Sequence, residues 1–176
     1  MRVDRAIVDL PLGGVAAPEP GLPGLVELDA ADGEVTWSLA AGRDGDQLVL
    51  ATSGPFGYAG GVQGTPEQLL GPDANWTVDR LQGGWLVWGP VVPGAERVTL
   101  TAADGTTRSV DVLDTGTDLP VGAFAVFVPE DEGLTAVVAE GGGEVLQRPV
   151  GLDRALADLA ADPGLRGVGV LVERVG

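Results

Sequence analysis

Residues 97–112 read RVTLTAADGTTRSVDV, and this stretch decides the fold class. Val98 and Leu100 alternate with polar residues, Asp104-Gly105 follows, and the alternation then resumes. A period of two residues is typical of a strand with one buried face, and Asp-Gly between two such runs predicts a β-hairpin. The stretch therefore indicates antiparallel β-structure.

The same pattern recurs on both sides of this hairpin. A first hairpin is predicted at residues 35–40 and 47–52, and more strands at 76–81, 84–89, 123–128, 134–139 and 144–148. About nine short strands at such spacing are typical of an antiparallel sandwich. We therefore expect a mainly β fold, an antiparallel Ig-like or related β-sandwich with a short C-terminal α-β element.

The C-terminal element is predicted from a change of period. Leu152, Leu156 and Leu159 fall on one helical face, and Asp162-Pro163-Gly164 ends the helix before a last strand at 167–175. The glycine-rich stretch 53–75 is expected to be a long surface loop with one helical turn at Pro66–Leu70. The predicted organisation is an N-terminal strand (Val3 to Leu10) and extended connector in 1–33, a sandwich in 34–149, and a helix and strand docked on it in 150–176.

Composition excludes several functions. The 176 residues contain no histidine, cysteine or lysine, and the net charge is −16. A strongly acidic chain offers no basic face for phosphates, so we expect no nucleic-acid partner. No stretch approaches the roughly 20 apolar residues of a membrane span, so no direct membrane insertion is expected.

The missing residue types also argue against catalysis. Histidine is the usual general base at neutral pH, and cysteine and lysine are common nucleophiles. We therefore expect no enzyme, no catalytic residues and no cofactor. Asp44 and Asp46 are weak calcium candidates, because carboxylates are calcium ligands. A β-turn explains the spacing around Gly45 better than a calcium site does, and no other metal site is predicted.

Three aromatic residues are candidates for a binding surface. Trp85 and Trp88 are an odd number of positions apart, so in a regular strand they face opposite sides of the sheet. One of them is either exposed or covered by a second layer. Tyr58 lies in the glycine-rich stretch. Exposed rings of this kind stack on sugars, whereas buried ones pack the core.

A set of short segments carries a family resemblance: Val35–Leu39, Leu48–Leu50, Gly89–Pro93, Arg97–Leu100, Phe124–Pro129, Thr135–Ala139 and Val145–Leu146. Their order resembles that of actinobacterial extracytoplasmic β-sandwich proteins, secreted or membrane-anchored, without an assigned activity. In that group a cysteine pair ties the first hairpin to the glycine-rich segment. Val49 and Val62 stand at about those positions, so the staple typical of an oxidising compartment is missing here.

Three functions stay open from the sequence. The leading hypothesis is a non-catalytic protein-interaction or structural module, working through strand edges and the glycine-rich stretch and binding a protein partner or a copy of itself. The alternatives are a subunit of a phage or injection-machine assembly and a carbohydrate-binding module. The expected location is extracytoplasmic if a leader or anchor precedes Met1, and otherwise the cytoplasm or a virion.

Overall fold

The computed structural model describes residues 26–29, 36–53 and 59–175. Two antiparallel sheets of four and nine strands make up most of it, so the expectation of a mainly β fold is confirmed. The smaller sheet contains β1 (Val26–Asp29), β2 (Thr36–Asp44), β3 (Gln47–Ser53) and β4 (Ala59–Gly64). The helices among these residues are α1 (Pro66–Leu70) and α2 (Leu152–Ala161).

The larger sheet takes up the second part of the chain. Its strands are β5 (Asn75–Leu81), β6 (Gly84–Val91), β7 (Arg97–Ala102), β8 (Thr107–Asp111), β9 (Leu113–Asp114), β10 (Gly122–Pro129), β11 (Leu134–Gly141), β12 (Glu144–Pro149) and β13 (Gly167–Arg174). The hairpin and the C-terminal helix predicted from the sequence are both confirmed.

The β7–β8 hairpin shows why its sequence selects this turn. Val98 lies opposite Val110, and Gly105 has a φ of +84°, a conformation that favours glycine. The Thr106 hydroxyl and backbone N–H both donate to Asp104 Oδ1, at 2.7 and 2.9 Å. These hydrogen bonds hold the pKa of Asp104 below its ordinary value. The carboxylate therefore closes the turn.

The two ends of the larger sheet are joined by the chain itself. Its strand order is β8-β7-β11-β12-β13-β5-β6-β10-β9, so the two end strands are successive segments of the chain on either side of Val112. The Val112 N–H donates to the Glu96 carbonyl at 2.9 Å, which anchors the bend between them. The β5–β13 strands enclose one hydrophobic core, which Leu152 and Leu159 of α2 join, and we call this part of the protein the closed sandwich.

Strand β6 lies between two hydrophobic cores. Every residue of β6 is buried, because its two faces are both covered. Trp85 points into the closed sandwich, whereas Trp88 points outward and is covered by Leu48 and Leu50 of the smaller sheet and by Leu69 of α1. The expectation that the two rings face opposite sides is confirmed, and the outward ring lies under a second layer.

The last strand is not an appendage. The sequence predicted a helix and strand docked on the sandwich, but β13 lies inside the larger sheet, between β12 and β5. Val168, Val170 and Val172 face its core, and both edges of the strand pair with neighbours. A run of alternating valines is as suited to a central strand as to a covering one, so the pattern alone does not distinguish them.

The glycine-rich stretch contains a strand that the sequence did not predict. Strand β4 pairs with β3, with Val49 opposite Gln63 and Leu50 opposite Val62. Opposed residues share a face, so Val49 and Val62 point to opposite faces of the sheet. A cysteine pair at these two positions could not form a bridge without moving the backbone. The strand predicted at Val3 to Leu10 lies outside the described residues.

Gln147 supplies a first prediction, because its side chain ties β12 to the segment that follows β6. Its side chain is 1% exposed and accepts a hydrogen bond from the Val92 N–H at 2.8 Å. We expect Gln147→Leu to lower the free energy of unfolding by about 1–3 kcal/mol, since the buried N–H loses its acceptor. Urea unfolding followed by circular dichroism measures this.

The matched control for this substitution is Gln63→Leu. Gln63 is exposed and bonds to the side chain of Gln47 on the surface, so this change is expected to shift stability by no more than about 0.5 kcal/mol. A Gln147→Leu protein as stable as the parent would show that the contact to Val92 contributes nothing.

Candidate binding groove

An open groove of about 810 Å³ lies at one end of the closed sandwich, where β5 and β10 begin and β6, β12 and β13 end. We call it the α1–β13 groove. Its lining is mainly apolar. The apolar residues include four prolines and three aliphatic side chains: Pro66, Pro72, Pro93, Pro120, Leu70, Val150 and Leu171. The charged residues of the lining are Glu67, Glu173 and Arg174. A volume of this size is in the range of binding clefts.

Helix α1 forms one wall, and its short sequence fixes its position. Thr65 caps the helix, with the Thr65 hydroxyl accepting from Gln68 N and the Gln68 side chain accepting from Thr65 N. Pro66 occupies the first turn, where its missing N–H costs nothing. Leu69 is buried in the core shared with the smaller sheet. The helix is therefore held firmly while Pro66 and Glu67 line the groove.

The opposite wall carries exposed apolar side chains. Val150 is 46% exposed and Leu171 is 42% exposed, and the Val150 N–H donates to the Leu171 carbonyl at 2.7 Å. The hydrogen bond places these two side chains next to each other on the outer face. Exposed apolar residues grouped in one concavity indicate an interaction site more strongly than scattered ones. Val175, 38% exposed, is not part of the lining.

The pairing on the β5 side of β13 ends beside this groove. Val172 N–H donates to the Ala74 carbonyl at 2.8 Å, which is the end of the pairing between β13 and the segment leading into β5. Continuing that register places Arg174 opposite Pro72. Proline has no N–H to donate, and the chain turns there, with Ala74 N–H bonded to the Gly71 carbonyl at 3.1 Å. The pairing therefore stops two residues before the strand does.

A second concavity, of about 350 Å³, lies between β4 and the β5–β13 pair. Asp79 lines it, and the Trp88 indole N–H donates to Asp79 Oδ2 at 2.8 Å. A Cβ on Gly167 would lie 2.0 Å from Asp79 Oδ1, so only glycine leaves room for this carboxylate. The indole hydrogen bond fixes a partly buried acid between the two sheets, and this is a structural use of both side chains.

The residues singled out in the sequence do not meet at either place. Trp85 is 8% and Trp88 2% exposed, so neither ring offers a face for stacking on a sugar. Tyr58 lies outside the described residues. Asp44 and Asp46 flank Gly45, whose φ is +64°, in the tight β2–β3 turn. Within residues 26–29, 36–53 and 59–175, no group of three or more acidic side chains could hold a metal ion.

The groove residues were missed for a physical reason. Pro66 begins helix α1, whereas Pro93 and Pro120 lie in two separate connecting segments. Leu171 belongs to a strand whose place in the sheet the sequence did not reveal. A partial signal was present. Val168, Val170 and Val172 share the face of the strand that points to the core, and Leu171 lies on the opposite face, where a polar residue is usual.

Comparisons with known proteins do not identify a family for this chain. No protein-family model, no curated protein and no solved structure matches this chain. Among the helices of the described chain, none is long and apolar enough to cross a membrane.

Proposed function

We propose that this protein is a non-catalytic interaction module that binds another polypeptide in the α1–β13 groove. The observation that carries the proposal is the pairing of Val150 and Leu171, two large apolar side chains left more than 40% exposed in a concave surface. Burying such a side chain stabilises a complex by about 1.5–3 kcal/mol.

The rigidity of the walls supports the same function. Four prolines line the groove, and α1 is anchored by a capping box and by the buried Leu69 and Leu70. A surface that is already ordered loses little conformational entropy when a partner binds, so more of the contact energy appears as affinity. The groove is therefore suited to binding without rearrangement.

Site-specific photocrosslinking in the source cells tests the proposal. A photoreactive p-benzoylphenylalanine replaces Leu171 in one variant and Val175 in the other. Both positions are exposed, Leu171 in β13 and Val175 directly after it, but only Leu171 lines the groove. We expect a discrete covalent adduct with another polypeptide from position 171 and none from position 175.

A second substitution connects the adduct to the groove. We expect Val150→Asp to reduce the adduct at position 171 about tenfold or more, because a central apolar contact is replaced by a charge that must be desolvated. Equal adducts at both positions, or no adduct at position 171, would contradict the proposal. An adduct consisting of two copies of this chain would instead favour the self-assembly function.

A further inference from the structure

The smaller sheet has a buried outer face that the two hydrophobic cores do not explain. Leu48 and Leu50 of β3 point toward the larger sheet and join the core around Trp88. Successive side chains of a strand point to opposite faces, so Val49 and Ala51 point away from that core. They are nevertheless only 7% and 4% exposed, and among the described residues neither core includes them. Because this burial occurs within a single chain, another part of the same chain covers the outer face.

We infer that residues 1–25, the N-terminal segment, bind to the outer face of the smaller sheet within the same molecule. The juxtaposition of the buried apolar face with the point where the chain enters the sheet carries the inference. Val26, the first residue of β1, lies opposite Leu39 of β2. The next residue of β2, Ala40, points to the outer face and is 1% exposed. The N-terminal segment therefore joins the sheet directly beside the covered face.

The other parts of the chain are not placed to cover this face. The larger sheet and α1 pack against the opposite face. Residues 54–58 follow Ser53, and residues 30–35 connect β1 to β2 at the same end of the sheet. Such a connection, which leaves and returns at adjacent strands, reaches about 10–12 Å. Val49 lies about 13 Å from Ser53 along β3. The N-terminal segment reaches it easily, because β3 is only two strand spacings, about 10 Å, from β1.

The outer face and the N-terminal segment also match in charge. The residues that flank Val49 and Ala51 on the neighbouring strands carry no charge: Ala40, Gly42, Gly61 and Gln63. The N-terminal segment has two arginines and three carboxylates, so it is almost neutral in a chain of net charge −16. An uncharged face favours such a segment, because burying an unpaired carboxylate against apolar side chains is costly.

Disulfide trapping in the full chain tests the inference, because the chain contains no cysteine of its own. Val49→Cys is combined with a second cysteine in the N-terminal segment. In the control series Val175→Cys replaces Val49→Cys, since position 175 is exposed and lies outside the smaller sheet. We expect at least one segment position to bridge to position 49 about tenfold or more faster than to position 175. The second cysteine is placed in turn at Val3, Val8, Leu10, Leu12 and Val15.

The mass of the bridged product shows what covers the face. Bridges within one chain support the inference. Bridges between two chains would assign the cover to a second copy of the protein and would overturn it. Equal rates for positions 49 and 175 at all five segment positions would overturn it as well.

Thiol labelling measures the same cover from the side of the sheet. Val49→Cys is labelled with a maleimide in the full chain and in a chain that begins at Val26. The matched control is Gln63→Cys, which lies opposite Val49 on the same face but is exposed. We expect removal of the N-terminal segment to speed labelling at position 49 about tenfold or more and at position 63 less than about twofold.

Unchanged labelling at position 49 in the shortened chain, with a folded circular dichroism spectrum, would overturn the inference. So would labelling in the full chain that is as fast at position 49 as at position 63. A shortened chain that does not fold leaves the decision to the disulfide series, which uses the full chain throughout.

Discussion

Trp76→Ala is expected to lower the free energy of unfolding by about 3–5 kcal/mol, the range measured for large aromatic side chains removed from a core. Trp76 is 1% exposed and lies edge-on against Phe124, with ring centroids 4.9 Å apart and an interplanar angle of 75°. Its indole N–H donates to the buried Pro90 carbonyl at 2.8 Å. The alanine variant therefore loses packing, leaves a cavity and leaves the buried Pro90 carbonyl without this donor.

Urea unfolding followed by far-ultraviolet circular dichroism measures this loss, because tryptophan fluorescence changes with the substitution itself. Trp76→Phe keeps the aromatic contact with Phe124 but not the hydrogen bond, and is expected to cost about 1–3 kcal/mol. Val175→Ala, on the surface, is expected to stay within about 0.5 kcal/mol of the parent. A loss below 1 kcal/mol for Trp76→Ala would mean that neighbouring strands collapse into the space.

Gly89→Ala is the second large effect, and it depends on the same indole. A Cβ at position 89 would lie 2.6 Å from Trp76 Cδ1 and 3.2 Å from Trp76 Cα. Turning the ring relieves the first contact but not the second, which is with backbone. We expect a loss of about 1–3 kcal/mol in the free energy of unfolding, the usual cost of overpacking a core.

The matched control is Gly169→Ala, also in a strand. There the nearest atoms, all in Asn75, would lie 3.7 Å from the new Cβ, an ordinary contact. We expect no loss, and a gain of up to about 1 kcal/mol from the smaller entropy of the unfolded chain. In a Trp76→Ala background, Gly89→Ala is expected to cost less than in the parent, because the ring is gone. Additive costs would show that the two positions do not interact.

Much of the fold could be predicted from local pattern. The alternation in 97–112 indicates the buried face of a strand, and the three leucines of α2 indicate the buried face of a helix. Each pattern needs only a short window of sequence to be recognised. Strand β4 was not predicted, because Gly60 and Gly61 give no alternation to detect. A Cβ at Gly61 would lie 3.3 Å from the Leu50 carbonyl, so close approach of β3 and β4 favours the residue that removes the signal.

The arrangement of the elements was harder to predict than their existence. Trp85 and Trp88 were placed on opposite faces from their spacing alone, but no local signal says that the smaller sheet covers the second ring. The position of β13 depends on which strands it pairs with, and its partner β5 lies nearly a hundred residues earlier in the chain. The α1–β13 groove inherits that difficulty, since Leu171 reaches it only through the placement of β13.

The central position of β13 also affects how the protein is made. Strand β5 ends at Leu81 and β13 begins at Gly167, so β5 leaves the ribosome well before its partner. At about 5–20 residues per second, the edges of β5 and β12 stay unpaired for seconds, and an unpaired edge recruits other chains. The larger sheet cannot be completed before β13 has been synthesised. Until then the larger of the two hydrophobic cores stays exposed in the nascent chain.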